Sequence, residues 1–372
     1  MKVLLVEPYY GGSHRAWADG YAANSRHDVT LITHEAQFWK WRMHGAHLTL
    51  AEQAAAVLTE PPDVVLASSM MNVAAFVGAA RTAIGGAPIV SYFHESQFTY
   101  PLSPLDRPDL TYQMVNWSSA AVADLVVFNS EYHRATFFDR VAPFVGQFPD
   151  RDHTALMGAV EKRSEVLPVG IDRSRFGPHE QSGDTPLLVW NQRWEHDKGP
   201  DELVELLERL AETGVEFRVA VVGERFVSTP EPLERLPDLL GDRLVEFGFL
   251  PDDDYADLLC RADVVVSTAH HEFFGVAVVE AMAAGAFPVL PNRLAYPEHI
   301  PAEHHTRCLY DGSDDLVDKV RWALDRREEA LVIAADLSES MSAYDWSLVA
   351  PRYDDALARL VSSPPVNGRH GV

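Results

Sequence analysis

Two carboxylates and two cations in this chain have the types and spacing to do chemistry. In Ala269-His270-His271-Glu272-Phe273-Phe274-Gly275-Val276-Ala277-Val278-Val279-Glu280, Glu272 falls in a loop after an apolar run and Gly275 opens a helix. Glu280 then lies about a turn and a half inside that helix. Carboxylates placed this way accept hydrogen bonds from vicinal hydroxyls such as those of a sugar and a ribose, with free helix N–H groups between them for a phosphate. A capped helix carrying one stray acid is the plainer reading. In Trp190-Asn191-Gln192-Arg193-Trp194-Glu195-His196-Asp197-Lys198-Gly199-Pro200, Arg193 and Lys198 flank a loop that enters a helix at about Pro200. Two cations there suit a diphosphate leaving group whose charge grows as a bond breaks; ion pairing with Glu195 and Asp197 is the alternative.

Three further segments carry weaker signals. Glu7-Pro8-Tyr9-Tyr10-Gly11-Gly12-Ser13-His14 leads from a strand into a helix, and paired glycines let the backbone approach a ligand. It is not G-x-G-x-x-G, which disfavours a dinucleotide. Ser91-Tyr92-Phe93-His94-Glu95-Ser96-Gln97 places a His beside a Glu at a strand's end, suited to acid, base or hydrogen-bonding work, and it lacks the second His of a zinc-protease H-E-x-x-H. His34 to His47 interleaves Phe38, Trp39 and Trp41 with Lys40 and Arg42, which suits a splayed nucleobase and its phosphates, or else a half-buried amphipathic helix edge. Asp252-Asp253-Asp254 contains a D-x-D, but after Pro251 and before a helix it reads as N-terminal helix charge. The sixteen His residues lack metal spacing with Cys.

The elements that must position these residues alternate. Val3–Glu7, Val29–Thr33, Val64–Ala67, Ile89–Phe93 and Leu125–Asn129 read as strands, mostly apolar throughout, as a parallel sheet covered on both faces requires. Helical patterns lie between them at Ser13–Ala23, Met71–Thr82, Leu110–Ala123 and Glu131–Phe138. After a polar connection near 177–185 the grammar repeats. Strands are expected at Leu187–Trp190, Phe217–Val222, Leu244–Phe247, Val264–Ser267 and Phe287–Leu290, and helices at Asp201–Ala211, Asp252–Arg261, Val276–Ala284 and Asp315–Leu324. The pattern predicts two doubly wound α/β domains, with ligands at the carboxyl ends of their strands and the cleft between them as the default site. The expected division is 1–180 plus a C-terminal helix at about 344–360, then 181–343, with a disordered Ser/Pro/Gly-rich tail at 362–372.

Composition bounds the partners. Of 372 residues, 31 are Lys or Arg and 55 are Asp or Glu, a formal charge of -24. Residues 1–180 hold 14 basic and 19 acidic side chains, so most of the acidity follows Glu180. That speaks against tight nonspecific nucleic-acid binding and leaves room for a local basic patch in the first half. Two cysteines, no signal-peptide core and no bilayer-length apolar run give the expectation of a reduced, cytoplasmic protein with no membrane contact.

Together, Glu272-x7-Glu280, Arg193 with Lys198, Gly11-Gly12 and His94 resemble the retaining glycosyltransferases of the GT-B fold, over both domains. More narrowly, residues 7–14, 92–97, 193–198 and 271–276 resemble the tRNA-queuosine mannosyltransferase family, which transfers mannose from GDP-mannose to queuosine at the tRNA wobble position. The resemblance implies that Glu272 meets the donor sugar and Glu280 the ribose, and that Arg193 and Lys198 hold the diphosphate. It places His94 near the sugar, Gly11 and Gly12 over the phosphate, and Gly248, Phe249 and Leu250 at the base. Phe274, Gly275 and Val276 complete the donor site, and Ser13, His14, Glu95 and Gln97, with Trp39, Lys40, Trp41 and Arg42, fall to the acceptor. It implies no metal and no cofactor beyond the donor substrate. The residues alone also admit a lipid or small-metabolite acceptor, or a non-catalytic nucleotide-sugar binding protein.

Overall fold

The computed structural model describes residues 1–100, 109–180, 183–224 and 229–362; of the tail 362–372 expected to be disordered, Ser362 ends a helix and the rest lies outside the described residues. The chain folds as two compact units, Met1–Gly170 with the segment from Trp346, and Ile171–Asp345.

The first unit is built on β1 (Lys2–Tyr10), β2 (Asp28–Glu35), β3 (Val64–Ser68), β4 (Ile89–Phe93), β5 (Leu125–Phe128) and β6 (Ser164–Val166). Their order is β2-β1-β3-β4-β5-β6, with every pairing parallel. β3 and β4 are buried at all five positions, because helices cover both faces of the sheet and continuous apolar strands are what such a position demands. The helices start where the sequence supplies caps: Asn72 accepts the Ala75 N–H at 2.9 Å and Ser130 that of His133 at 3.0 Å. A long helix, Trp39–Val57, and a short one, Thr154–Lys162, fill crossovers that the sequence pattern had left open. The helix from Glu131 runs to Val145 rather than stopping at Phe138.

The second unit repeats the plan with β7 (Leu187–Trp190), β8 (Arg218–Val222), β9 (Leu244–Gly248), β10 (Val264–Val266), β11 (Phe287–Pro291) and β12 (Leu309–Tyr310). The order is β12-β11-β10-β7-β8-β9, again all parallel. Each sheet therefore reverses its winding once, beside β1 and β3 in the first unit and beside β7 and β10 in the second. Such a reversal splays the flanking crossovers to opposite faces and opens a crevice at the strands' carboxyl ends.

The unit boundary falls ten residues before the expected one. Ile171 donates its N–H to Tyr344 O at 2.8 Å, and Glu180 donates to Cys260 O at 2.8 Å, so residues 171–180 are laced to the second unit by their own backbone. At the other end the helix Trp346–Ser362 belongs to the first unit. The Trp346 indole fills space that only glycine leaves at Gly20 and Gly170, and Tyr353 accepts from Trp17 Nε1 at 3.1 Å. Buried Asp354 accepts from Tyr21 Oη at 2.9 Å, Ser25 Oγ at 2.6 Å and the Arg26 N–H at 2.9 Å.

Candidate active site

In the second unit the motif loops follow the two strands that flank the reversal. β7 leads into Asn191 to Lys198 and β10 into Ser267 to Gly275. Gly199, with φ of 65°, sits so close to the Thr268 carbonyl that a Cβ would collide with it, which locks the two loops together. Lys198 is buried by this closeness, and its Nζ donates to the His271 carbonyl at 2.8 Å and lies 3.2 Å from both Glu272 Oε2 and Asp197 Oδ2. Glu272 in turn accepts the N–H groups of Phe273 at 3.0 Å and Phe274 at 3.3 Å. Burial pushes the Glu272 carboxyl up, but Lys198, the Phe274 amide and Arg193 outweigh it and hold the group at about 2. It is an anion at any physiological pH. His271 beside it is pushed down to about 4 by burial and by Lys198.

Glu280 lies in a different field. Gly275, φ 86°, opens the helix Val276–Ala283 that carries it. Its carboxylate accepts from Tyr255 Oη at 3.2 Å and pairs with Arg175 at 3.6 Å, while Asn191 Nδ2 reaches the same Tyr255 at 2.9 Å. Burial dominates here and raises Glu280 to about 7, against the pull of Arg175 and Tyr255. Two acids eight positions apart are thus tuned in opposite directions. The ion pairs expected at the cation loop form, Arg193 standing 3.2 Å from Glu195 and Lys198 3.2 Å from Asp197, and Arg193 stays two-fifths exposed. At the end of β9, Gly248 has φ of 132°, Phe249 is exposed, and Phe247 packs on Trp194 with ring centroids 4.7 Å apart; Leu250 follows before the helix Asp252–Arg261. Asp252, Asp253 and Asp254 form that helix's first turn. Phe274 is buried against His299 and Tyr344, its carbonyl lies 2.6 Å from His299 Nε2, and Val276 begins the helix at the same mouth.

In the first unit the reversal gathers the ends of β1, β3 and β4. Gly11 is extended and lies against Ala36, and Gly12, φ 49°, opens the helix Gly12–Asn24. Ser13 is exposed there, whereas His14 turns inward. His14 Nδ1 stands 3.2 Å from Glu7 Oε1 and His94 Nε2 stands 3.4 Å from Glu7 Oε2, bringing three buried groups from three elements together. Their donor atoms lie within 4.8 Å of one another, a spacing that admits a shared proton or a small cation. The imidazoles stack with centroids 3.9 Å apart and planes at 33°, so their lone pairs run side by side rather than converging on one point, which favours hydrogen bonding to the carboxylate. Glu95 accepts from Gln97 Nε2 at 3.2 Å, and the Gln97 N–H is held by Asn116 at 2.7 Å.

The aromatic and basic segment divides. Trp39 is half-buried against Tyr112 and Tyr100, with Lys40 5.5 Å over its ring, and it packs on Met43, Met70 and Val115. Trp41 is 67% exposed and Phe38 is 74% exposed in a left-handed conformation, φ 53°, while Arg42 holds the Glu35 carbonyl at 3.2 Å. Sequence reasoning named no role for Glu7, Arg175 or Tyr255. An acid closing an otherwise apolar strand was the available signal for Glu7; Arg175 and Tyr255 left none.

Two parallel six-stranded sheets, each reversing its winding once, make up a GT-B fold. The fold matches a sucrose-phosphate synthase from Thermosynechococcus elongatus, with TM-score 0.75 and 14% identity over 98% of this chain and 100% of that one. It also matches HepE from Anabaena in complex with UDP, with TM-score 0.71 and 16% identity over 96% and 100%; at such identities the likeness speaks for the fold alone. Residues 173–336 match the glycosyl transferases group 1 family, and residues 2–171 match the N-terminal domain of tRNA-queuosine alpha-mannosyltransferase. The tRNA-queuosine alpha-mannosyltransferase of Drosophila melanogaster is 35% identical over 334 residues, covering 86% of this chain and 85% of that protein. The chain belongs to the tRNA-queuosine alpha-mannosyltransferase family. More distantly, a GDP-mannose-dependent phosphatidylinositol dimannoside mannosyltransferase of Mycobacterium tuberculosis is 27% identical over 64% of this chain and 59% of its own length. Among the described residues no helix is long and apolar enough to cross a membrane.

Proposed function

We propose that the protein transfers mannose from GDP-mannose to queuosine at the wobble position of tRNA, in the cytoplasm, with retention at the anomeric carbon and without a metal or further cofactor. The observation that carries this reading is the pair of buried Lys198 and partly exposed Glu272 at the mouth of the second unit, which holds a cation and a fixed anion side by side where a sugar diphosphate would be recognised. Glu272 accepts hydrogen bonds from the sugar hydroxyls and Glu280 from the ribose. Lys198 and Arg193 take the diphosphate, whose charge rises as the bond from the anomeric carbon to the phosphate oxygen breaks. The acceptor hydroxyl forms the new bond on the same face and passes its proton to a phosphate oxygen of the departing GDP. Holding the cations among acids beforehand means that little reorganisation is needed at that moment.

Gly248, Phe249 and Leu250 are assigned to the base. His94 is assigned to the sugar, and Ser13, Glu95 and Gln97, with Lys40, Trp41 and Arg42, to the acceptor. Support for GDP-mannose comes from relatives named for that donor. The test is donor competition: with queuosine-containing tRNA as acceptor, GDP-mannose is expected to be used at least about 100-fold better by kcat/KM than UDP-glucose. Equal use of the two would remove the donor assignment.

A further inference from the structure

Glu7 has no part in the roles assigned above, yet it is fully buried within β1. A carboxylate withdrawn from water keeps its charge only where partners hold it. Here Oε1 accepts the Tyr9 N–H at 2.8 Å and faces His14 Nδ1 at 3.2 Å. Oε2 faces His94 Nε2 at 3.4 Å, and neither of those two atoms has another hydrogen-bond partner among the described residues. Burial pushes the Glu7 carboxyl up, but the two imidazoles outweigh it and leave the group well below the usual carboxylate range. The His94 ring is boxed in by Trp17 and Tyr92, each with its centroid 4.7 Å away and edge to face, and its own carbonyl is held by Asn129 Nδ2 at 2.9 Å. Burial and His14 keep His94 neutral, at about 4. A neutral imidazole has one N–H, and the anion facing Nε2 draws it there, which leaves Nδ1 as the acceptor.

We propose that Glu7 is a positioning residue: its buried carboxylate fixes His94 in one ring orientation with the proton on Nε2, so that Nδ1 is presented as an acceptor for a hydroxyl of the transferred sugar, while the same carboxylate holds His14 in the stack beside it. The proposal rests on the assignment of His94 to the sugar. It explains why an acid interrupts the apolar run of β1, and why residues 7, 14 and 94 are buried together. His94 then acts as a fixed acceptor and not as a mobile base, in keeping with proton transfer to the departing phosphate.

Two readouts decide it. In the wild-type protein with 15N-labelled histidine, the His94 signal at neutral pH is expected to be that of the Nε2–H tautomer; an Nδ1–H tautomer or an imidazolium overturns the proposal without any variant. In kinetics, Glu7→Gln keeps the side chain's shape and loses its charge. It is expected to lower kcat about 10²-fold with the donor KM within about two-fold. Glu7→Gln with His94→Gln is expected to lose no more than His94→Gln alone, whereas additive losses would show that Glu7 does not act through His94. Stoichiometric uptake of Zn2+ that requires all three side chains would also overturn it. Failure of wild-type protein to glycosylate tRNA would refute the proposed function, with the tautomer still deciding the role of Glu7.

Discussion

The Lys198 ammonium lies 3.2 Å from Glu272 Oε2 and is screened from water by the loop that carries both His271 and Glu272. One ion pair thus joins the loop after β7 to the loop after β10, across the winding reversal of the second sheet. Its two members have separable consequences.

Lys198→Ala leaves buried Asp197 and partly exposed Glu272 without their cation, and breaking the buried Lys198–Asp197 pair costs about 3–5 kcal/mol of stability. Turnover is expected to fall further, by at least about 10³-fold in protein that is still folded, if the same ammonium meets the departing diphosphate as proposed. Circular dichroism and single-turnover transfer on the same sample check this. Activity lost only in proportion to unfolded protein would contradict it.

Glu280 gives a pH signature of stability. Its native pKa of about 7 lies above the ordinary 4.5, so the folded state binds the extra proton and stability falls as pH rises from about 4.5 to 7. The shift corresponds to roughly 3 kcal/mol. Glu280→Gln is expected to flatten that slope in urea unfolding at pH 5 and 8, with the gain over wild type larger at pH 8. Glu272 works in the other direction: held at about 2, its contribution is present above pH 4.5 and disappears as pH falls toward 2. A variant Glu280→Gln with the wild-type slope would contradict the assignment.

Gly20 sits inside the helix Gly12–Asn24, where alanine ordinarily stabilises by about 0.5–1 kcal/mol. Here a Cβ runs into the Trp346 indole, so Gly20→Ala is expected to reverse sign and destabilise the first unit by about 1–3 kcal/mol. Chemical denaturation reads the difference, and a stabilised variant would show that Trp346 does not pack there.

Trp41 is exposed among Lys40 and Arg42, in the half of the chain that carries little net charge. If it stacks on an acceptor base, Trp41→Ala is expected to raise the KM for tRNA about 10-fold, in line with about 1–3 kcal/mol per stacked base, with the donor KM unchanged. If Lys40 meets an acceptor phosphate, rising salt should weaken wild-type tRNA binding and act less on Lys40→Ala. Unchanged tRNA kinetics in both variants would place the acceptor elsewhere.

How much of this was legible in the amino-acid order depends on range. Strands such as β3 and β4 announce themselves because burial on both faces demands unbroken apolar runs. β6 and β12 do not, being three and two residues long, the first only half-buried. The helix Trp39–Val57 was hidden by Gly45 and by a first turn without acids or a capping side chain. Glu272 and Glu280 were readable because both lie in one loop and helix. The cluster of Glu7, His14 and His94 was not, because it depends on which strands lie side by side, and the pairing of Arg175 with Glu280 spans more than a hundred positions. The polar stretch near 177–185 looked like the joint because linkers are polar, yet its backbone bonds commit residues 171–180 to the second unit.

The most direct test is the mass of the modified base. Queuosine-containing tRNA incubated with the protein and GDP-mannose, then digested to nucleosides, is expected to show queuosine shifted by one hexose. The same reaction with Lys198→Ala, or with tRNA bearing unmodified guanine at the wobble position, should leave the nucleosides unchanged. Unshifted queuosine beside mannose transferred to a lipid or a small metabolite would contradict the account.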